Sequence, residues 1–310
     1  MSDADRPAAP LLVFVGGAPR SGTTLTQRVL NAHPMIYGGP EFDFTPEIAA
    51  LRRRMIESVR SGRIAPHADE ATVNAAVAGM LRAIFDARAA RAGAGVFSEK
   101  TPANVLEFMS LGEMFPEARF IFVLRDPRAV AASMMRVLRK SLAQGKRPPS
   151  FAPSLVGAGE SIARYWAAGF AAADAMPERV LTLHYEDLVA EPEATARRMC
   201  DFLGLPWDDL MIRPEETPAG EFQSALGNDI YYTREEIARP IAKADPEGWR
   251  RDLTQAQAEV VTSCIAPHPM LERYGLPERP SPRAQAILRA HRLRQGLRSA
   301  GRRAARLIGI

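Results

Sequence analysis

Cysteine is scarce: the 310 residues hold two, Cys200 and Cys264, far apart and with no Cys-x-x-Cys spacing. That excludes a disulfide-stapled fold and a cysteine-ligated zinc site, and it fits a reducing compartment. Lysine is scarcer still relative to arginine, with four (Lys100, Lys140, Lys146 and Lys243) against 36. No apolar run reaches the length a membrane-spanning helix needs. The opening Met-Ser-Asp-Ala-Asp-Arg-Pro carries neither a basic n-region nor an apolar h-region. No signal peptide is therefore expected, and a cytoplasmic location is. No internal repeat is present.

Apolar residues make up 46% of the chain, enough for a substantial core. The formal charge of +4 is unevenly spread. Residues 278–310 carry nine Arg and one acid, Glu278, for +8, which leaves −4 on the remainder. The globular part is therefore not a general polyanion binder. The excess of Arg over Lys, with abundant Ala, is what a GC-rich bacterial genome produces.

Leu11 to Val15 is a short apolar run of the kind found in a buried parallel strand. Gly16 and Gly17 follow, and from Gly22 the apolar residues Leu25, Val29 and Leu30 fall at helical spacing. Strand, tight loop and helix make an anion site, because the first N–H groups of the helix are unpaired and its dipole favours negative charge. Gly17 to Thr24 reads G-x-x-x-x-G-T-T, a phosphate loop with Thr23 where a nucleotide triphosphatase has Lys. Without that Lys the loop is poorly equipped for a γ-phosphate. It can still cradle one phosphate with backbone N–H groups, two hydroxyls and Arg20.

Further strands are expected at 35–41, 96–98, 119–124 and 180–184. Helices are expected at 48–59, 70–91, 103–115, from Pro127 to about 140, 155–176, 191–203 and 254–266. Residues 205–250 read as an irregular lid over a site. The alternation predicts a three-layer, P-loop-like α/β domain, with a central parallel sheet flanked by helices and ligands at the carboxyl ends of its strands. The expected division is a disordered 1–10, an α/β domain over 11–277 and a basic helical tail over 278–310.

Two strand ends carry further candidates. Arg125 closes the strand at 119–124, and Ser133 lies eight residues on, two turns along the next helix. Together they could hold a second phosphate. Asp126 could instead hold Mg²⁺, as in a kinase, or cap the helix. Lys100, in Ser-Glu-Lys-Thr-Pro, is a lysine at a strand end in a chain that writes Arg nine times as often. A compact ammonium is not equivalent to a guanidinium. The plain alternative is a surface lysine beside Glu99.

Gly-Ala-Pro-Arg-Ser-Gly-Thr-Thr-Leu resembles the 5′-phosphosulfate loop of sulfotransferases that use 3′-phosphoadenylyl sulfate (PAPS). The downstream segments are most similar to those of tyrosylprotein sulfotransferases and their bacterial relatives, and the resemblance covers roughly residues 11–275. It implies that Gly17, Arg20, Ser21, Gly22, Thr23 and Thr24 bind the 5′-phosphate and that Arg125 with Ser133 grips the 3′-phosphate. Lys100 and Arg20 would stabilise the departing oxygen. Glu41, at the family's spacing from the loop Arg, would be the general base, although Pro40 stands where the family has a second acid. Tyr185 would lie near the adenine or ribose. Arg239 would close over the nucleotide, with Ser224 or Asn228 in place of a family Ser. The implied partner is a hydroxyl-bearing acceptor: small molecule, lipid, glycan or protein tyrosine. PAPS would be the cosubstrate, and no metal would be required.

Two other readings remain open at this level. One is a P-loop kinase for a nucleotide or small molecule. The other is a protein acting through its Arg-rich tail, where Ile287, Leu288, Leu293 and Leu297 could form one face of a helix on anionic lipid or beside nucleic acid. The same tail could equally be a solvated helix or pack in a homodimer.

Overall fold

The computed structural model describes residues 9–217, 239–243, 245–291 and 293. They form two compact units. The first comprises residues up to Arg125 together with 164–243, and the second 126–163 with 245–293.

The first unit holds a five-stranded parallel sheet of β1 (Leu11–Gly17), β2 (Ile36–Gly38), β3 (Val96–Lys100), β4 (Arg119–Leu124) and β5 (Val180–His184). Their order is β2-β3-β1-β4-β5. β3 pairs with β1 from Leu11↔Val96 to Val15↔Lys100, so the two chains end side by side. Strand alternation sorts the core into two layers. Val13, Val15, Ile121, Val123 and Leu183 face Val29 and Leu30 of α1 (Thr23–Asn31) and Met199 of α8 (Pro192–Leu203).

The opposite face is aromatic. Phe14 stacks on Phe115 and Phe120 at 5.8 Å and meets Phe85 edge-on at 6.5 Å. Such ring pairs contribute about 0.5–1.5 kcal/mol each beyond the area they bury. Phe85 belongs to α3 (Glu70–Ala92), which follows α2 (Thr45–Arg60). The expected three-layer parallel α/β arrangement is what this unit has.

Two segments differ from expectation. Residues 103–115 form a 3₁₀ turn, Pro102–Glu107, and then α4 (Phe108–Met114), because the buried Asn104 side chain is turned inward onto the carbonyl of Val15. Tyr185–Ala190 is a separate short helix, α7. Glu186 and Asp187 suit its first turn, and Pro192 stops it.

The second unit contains α5 (Pro127–Ala143), the first half of α6 (Leu155–Ala175), α9 (Gln255–Thr262) and a helix over 282–291, here α10. Thr254 and Gln257 form a reciprocal capping box on α9. Ala284, Ile287 and Leu288 of α10 pack on Val156 and Val260. This part of the basic tail therefore spends its apolar residues inside its own unit. Residues from 294 onward lie outside the described residues, as do 218–238 of the expected lid, including Ser224 and Asn228.

Candidate active site

β1 ends at Gly17, and the chain reaches α1 through a loop whose Ser21 N–H donates to Ala18 O at 3.0 Å. Two residues hold left-handed backbone, Arg20 (φ 75°) and Gly22 (φ 106°). That geometry is unfavourable for Arg, and such strain gathers at functional loops. A Cβ on Gly22 would stand 2.3 Å from Cδ2 of Tyr185, and one on Gly17 would stand 2.5 Å from Val123 O. Both positions therefore require glycine. The Oγ of Ser21 is buried with no hydrogen-bond partner among the described residues. A phosphate oxygen would satisfy it, and the buried Thr23 and Thr24 open the helix immediately after.

Against this loop lies a pocket of about 270 Å³ lined by Arg20, Arg28, Arg125 and Arg239, with no carboxylate in its lining among the described residues. Arg125 donates from Nη1 to Arg20 O at 3.3 Å, and its guanidinium sits 4.1 Å over the ring of Tyr185. Tyr185, at the start of α7, thus touches both Gly22 and Arg125. Arg28 donates from Nη1 to Arg239 O at 3.1 Å. Burial lowers the affinity of Arg28 for its proton, with Glu215 opposing. Four guanidinium groups gathered at one pocket are complementary to a polyanion. Arg28 belongs to none of the motifs read from the sequence. The signal was its i, i+4 spacing from Thr24, which places both on one face of α1.

Thr24 lines the pocket and also lies 3.5 Å from Lys100 Nζ. Lys100 is 2% exposed and forms an ion pair with Glu41, which is 38% exposed. The plain alternative, a surface lysine beside Glu99, is therefore not what folds. β3 sends Ser98 and Lys100 to the α1 side, where Ser98 Oγ donates to Gln27 Oε1 at 2.9 Å. Glu99 goes to the opposite side. There its Oε1 accepts from Thr101 Oγ1 at 2.7 Å and its Oε2 from Asn104 at 2.6 Å. Burial raises the proton affinity of Glu99, and the hydrogen bonds from Thr101 and Asn104 act the other way. Asp43, two residues past Glu41, is also raised, first by burial and then by the Glu41 carboxylate.

The remaining candidates fall in the second unit or outside the described residues. Asp126 caps α5 by accepting from Arg128 N at 2.8 Å and pairs with the Arg128 guanidinium at 2.6 Å. Ser133 is buried on α5. Arg136, a second cation near that serine, pairs with Asp252. In the first unit, then, Gly17, Arg20, Ser21, Gly22, Thr23, Thr24, Arg125, Tyr185 and Arg239 gather around one loop and its pocket. Lys100 and Glu41 adjoin them through Thr24.

Residues 10–209 match the profile of the Sulfotransferase family. Protein-tyrosine sulfotransferase 1 of Danio rerio is 30% identical over 278 residues, covering 86% of this chain and 76% of the relative. Protein-tyrosine sulfotransferase A of Caenorhabditis elegans is 28% identical over 270 residues, covering 85% and 66%. Among solved structures, the sulfotransferase domain of the Synechococcus PCC 7002 olefin synthase aligns over 86% of this chain and 98% of that domain. Its TM-score is 0.50 at 20% identity, a likeness of fold. The chain belongs to the sulfotransferase family.

Proposed function

We propose that the protein moves a sulfuryl group from PAPS to an acceptor hydroxyl by in-line displacement. The observation that carries this reading is one connected line of groups. It runs from the four-arginine pocket, through Thr24 of the loop, to the buried Lys100 ammonium and its partner Glu41.

The residues present fit the donor. The orphaned Ser21 hydroxyl, the glycine-walled loop and Arg20 suit a 5′-phosphate, with Thr23 and Thr24 at the helix end. Arg125 is assigned the 3′-phosphate, and Ser133 shares that role on its sequence spacing alone. Tyr185 and Arg239 flank the nucleotide. Bound there, the donor supplies an activated sulfuryl group on a weakly basic phosphate. Glu41 takes the proton from the acceptor oxygen, Lys100 neutralises charge growing on the departing oxygen, and Arg20 assists. Sulfuryl transfer has little covalent work for the protein to do, so positioning and fixed charges dominate.

The acceptor is a hydroxyl. The relatives named protein-tyrosine sulfotransferases support a tyrosine side chain among the candidates, beside small molecules, lipids and glycans. A kinase reading is less well supported. Thr23 stands where a γ-phosphate lysine would, and Asp126 is engaged with the α5 cap and Arg128.

Calorimetry with 3′-phosphoadenosine 5′-phosphate and with MgATP tests the reading. Binding of the first and not the second is expected. The reverse preference, or turnover abolished by a chelator and restored by Mg²⁺, would favour the kinase. A screen of acceptors with labelled PAPS then identifies the hydroxyl.

A further inference from the structure

Glu99 is a fully buried carboxyl that the chemistry above does not use. A carboxyl is costly to bury, and a fold keeps one where its hydrogen bonds hold something in place. Its surroundings show what is held. The segment Glu41–Asp43 passes over the carboxyl end of β3. On the α1 side Glu41 pairs with Lys100. On the opposite side the very next amide, Phe42 N–H, donates to Glu99 Oε1 at 3.2 Å. Asp43 N–H donates to Thr101 Oγ1 at 3.3 Å, and that hydroxyl donates to the same Glu99 oxygen. The Phe42 ring packs edge-on to Phe85 at 5.5 Å. Asp43 is held at φ 59°, a conformation rare for a non-glycine residue and kept only where surroundings impose it. The other Glu99 oxygen accepts from Asn104, whose amide also donates to Val15 O in β1 at 3.3 Å. Glu99 therefore ties the segment bearing Glu41 to the two strands bearing Lys100 and the phosphate loop.

We propose that Glu99 is a positioning residue: it touches no reacting atom but anchors the Phe42 and Asp43 amides, and so fixes the Glu41 carboxylate against Lys100. This rests on the reading of Glu41 as the base.

The test uses the full chain with two readouts. Hydrogen exchange needs no acceptor: in Glu99→Ala, protection of the Phe42 and Asp43 amides should fall about tenfold or more while that of α1 is unchanged. Kinetics with PAPS and 4-nitrophenol as probe should show kcat down about tenfold or more with KM for PAPS within about twofold. Glu99→Gln, which keeps an acceptor for Phe42, should recover most of the loss. In a Glu41→Gln background, Glu99→Ala should cost less than about twofold further. Thr101→Val, a near-isosteric change that cuts the Asp43 link, serves if the alanine variant does not fold, and the same split is expected from it. Unchanged protection, or a lower Tm with unchanged kcat per folded molecule, overturns the anchor while leaving Glu41 as base. Near-normal turnover in Glu41→Gln alone would instead remove the reading on which the anchor stands.

Discussion

Glu41 and Lys100, 59 residues apart in sequence, meet as an ion pair at the carboxyl end of β3, with the lysine buried and the glutamate reaching solvent. The pair holds a carboxylate and an ammonium in contact, beside Thr24 of the loop after β1.

Removing either member should stop chemistry without emptying the nucleotide pocket. Glu41→Gln and Lys100→Met should each lower kcat by about 10²-fold or more. Affinity for 3′-phosphoadenosine 5′-phosphate, read by calorimetry, should change much less in Glu41→Gln than turnover does. Lys100→Arg should restore little, because a planar guanidinium does not reproduce a compact buried ammonium. Wild-type turnover in Glu41→Gln would assign the base elsewhere.

Arg125 lies on the Tyr185 ring and donates to the loop carbonyl of Arg20. Its replacement by Ala should weaken binding of 3′-phosphoadenosine 5′-phosphate by about tenfold or more. Adenosine 5′-phosphate, which lacks the 3′-phosphate, should bind nearly as before. Equal loss for both ligands would mean that Arg125 shapes the loop and grips no 3′-phosphate.

Gly22→Ala combines two penalties at one position: left-handed backbone and a Cβ driven into Tyr185. A loss of about 1–3 kcal/mol in stability is expected, together with weaker nucleotide binding as Tyr185 and Arg125 shift. Thermal unfolding with and without 3′-phosphoadenosine 5′-phosphate measures both. A variant as stable as the parent would show that the loop can move away from α7 at no cost.

Stability should respond to pH through Glu99. Burial raises its proton affinity above the ordinary value of 4.5, so the folded chain binds this proton more tightly than the unfolded chain. The corresponding stability is fully present below that ordinary value and is lost as pH rises through the folded one. Glu99→Gln removes the dependence. Its Tm relative to wild type should therefore improve as pH is raised from about 4 to about 8. A difference that stays constant over that range would show that folding leaves the proton affinity of Glu99 unchanged.

The sequence was enough to establish the strand, loop and helix of residues 11–31, the parallel α/β class and the carboxyl-end positions of Lys100 and Arg125. Those features are local: apolar alternation, glycine spacing, and prolines that stop or start helices act over a turn or a strand. What depended on tertiary structure is which of those ends touch. Inserting β3 between β1 and β2 brings Lys100 beside Thr24 and beneath the segment carrying Glu41. Tyr185 meets Gly22, Arg28 meets Arg239, and Glu99 turns away from its neighbour Lys100 to hold the opposite side of the same crossing. Strand order and side-chain facing are set by burial across the whole sheet, and no short stretch of sequence carries that information.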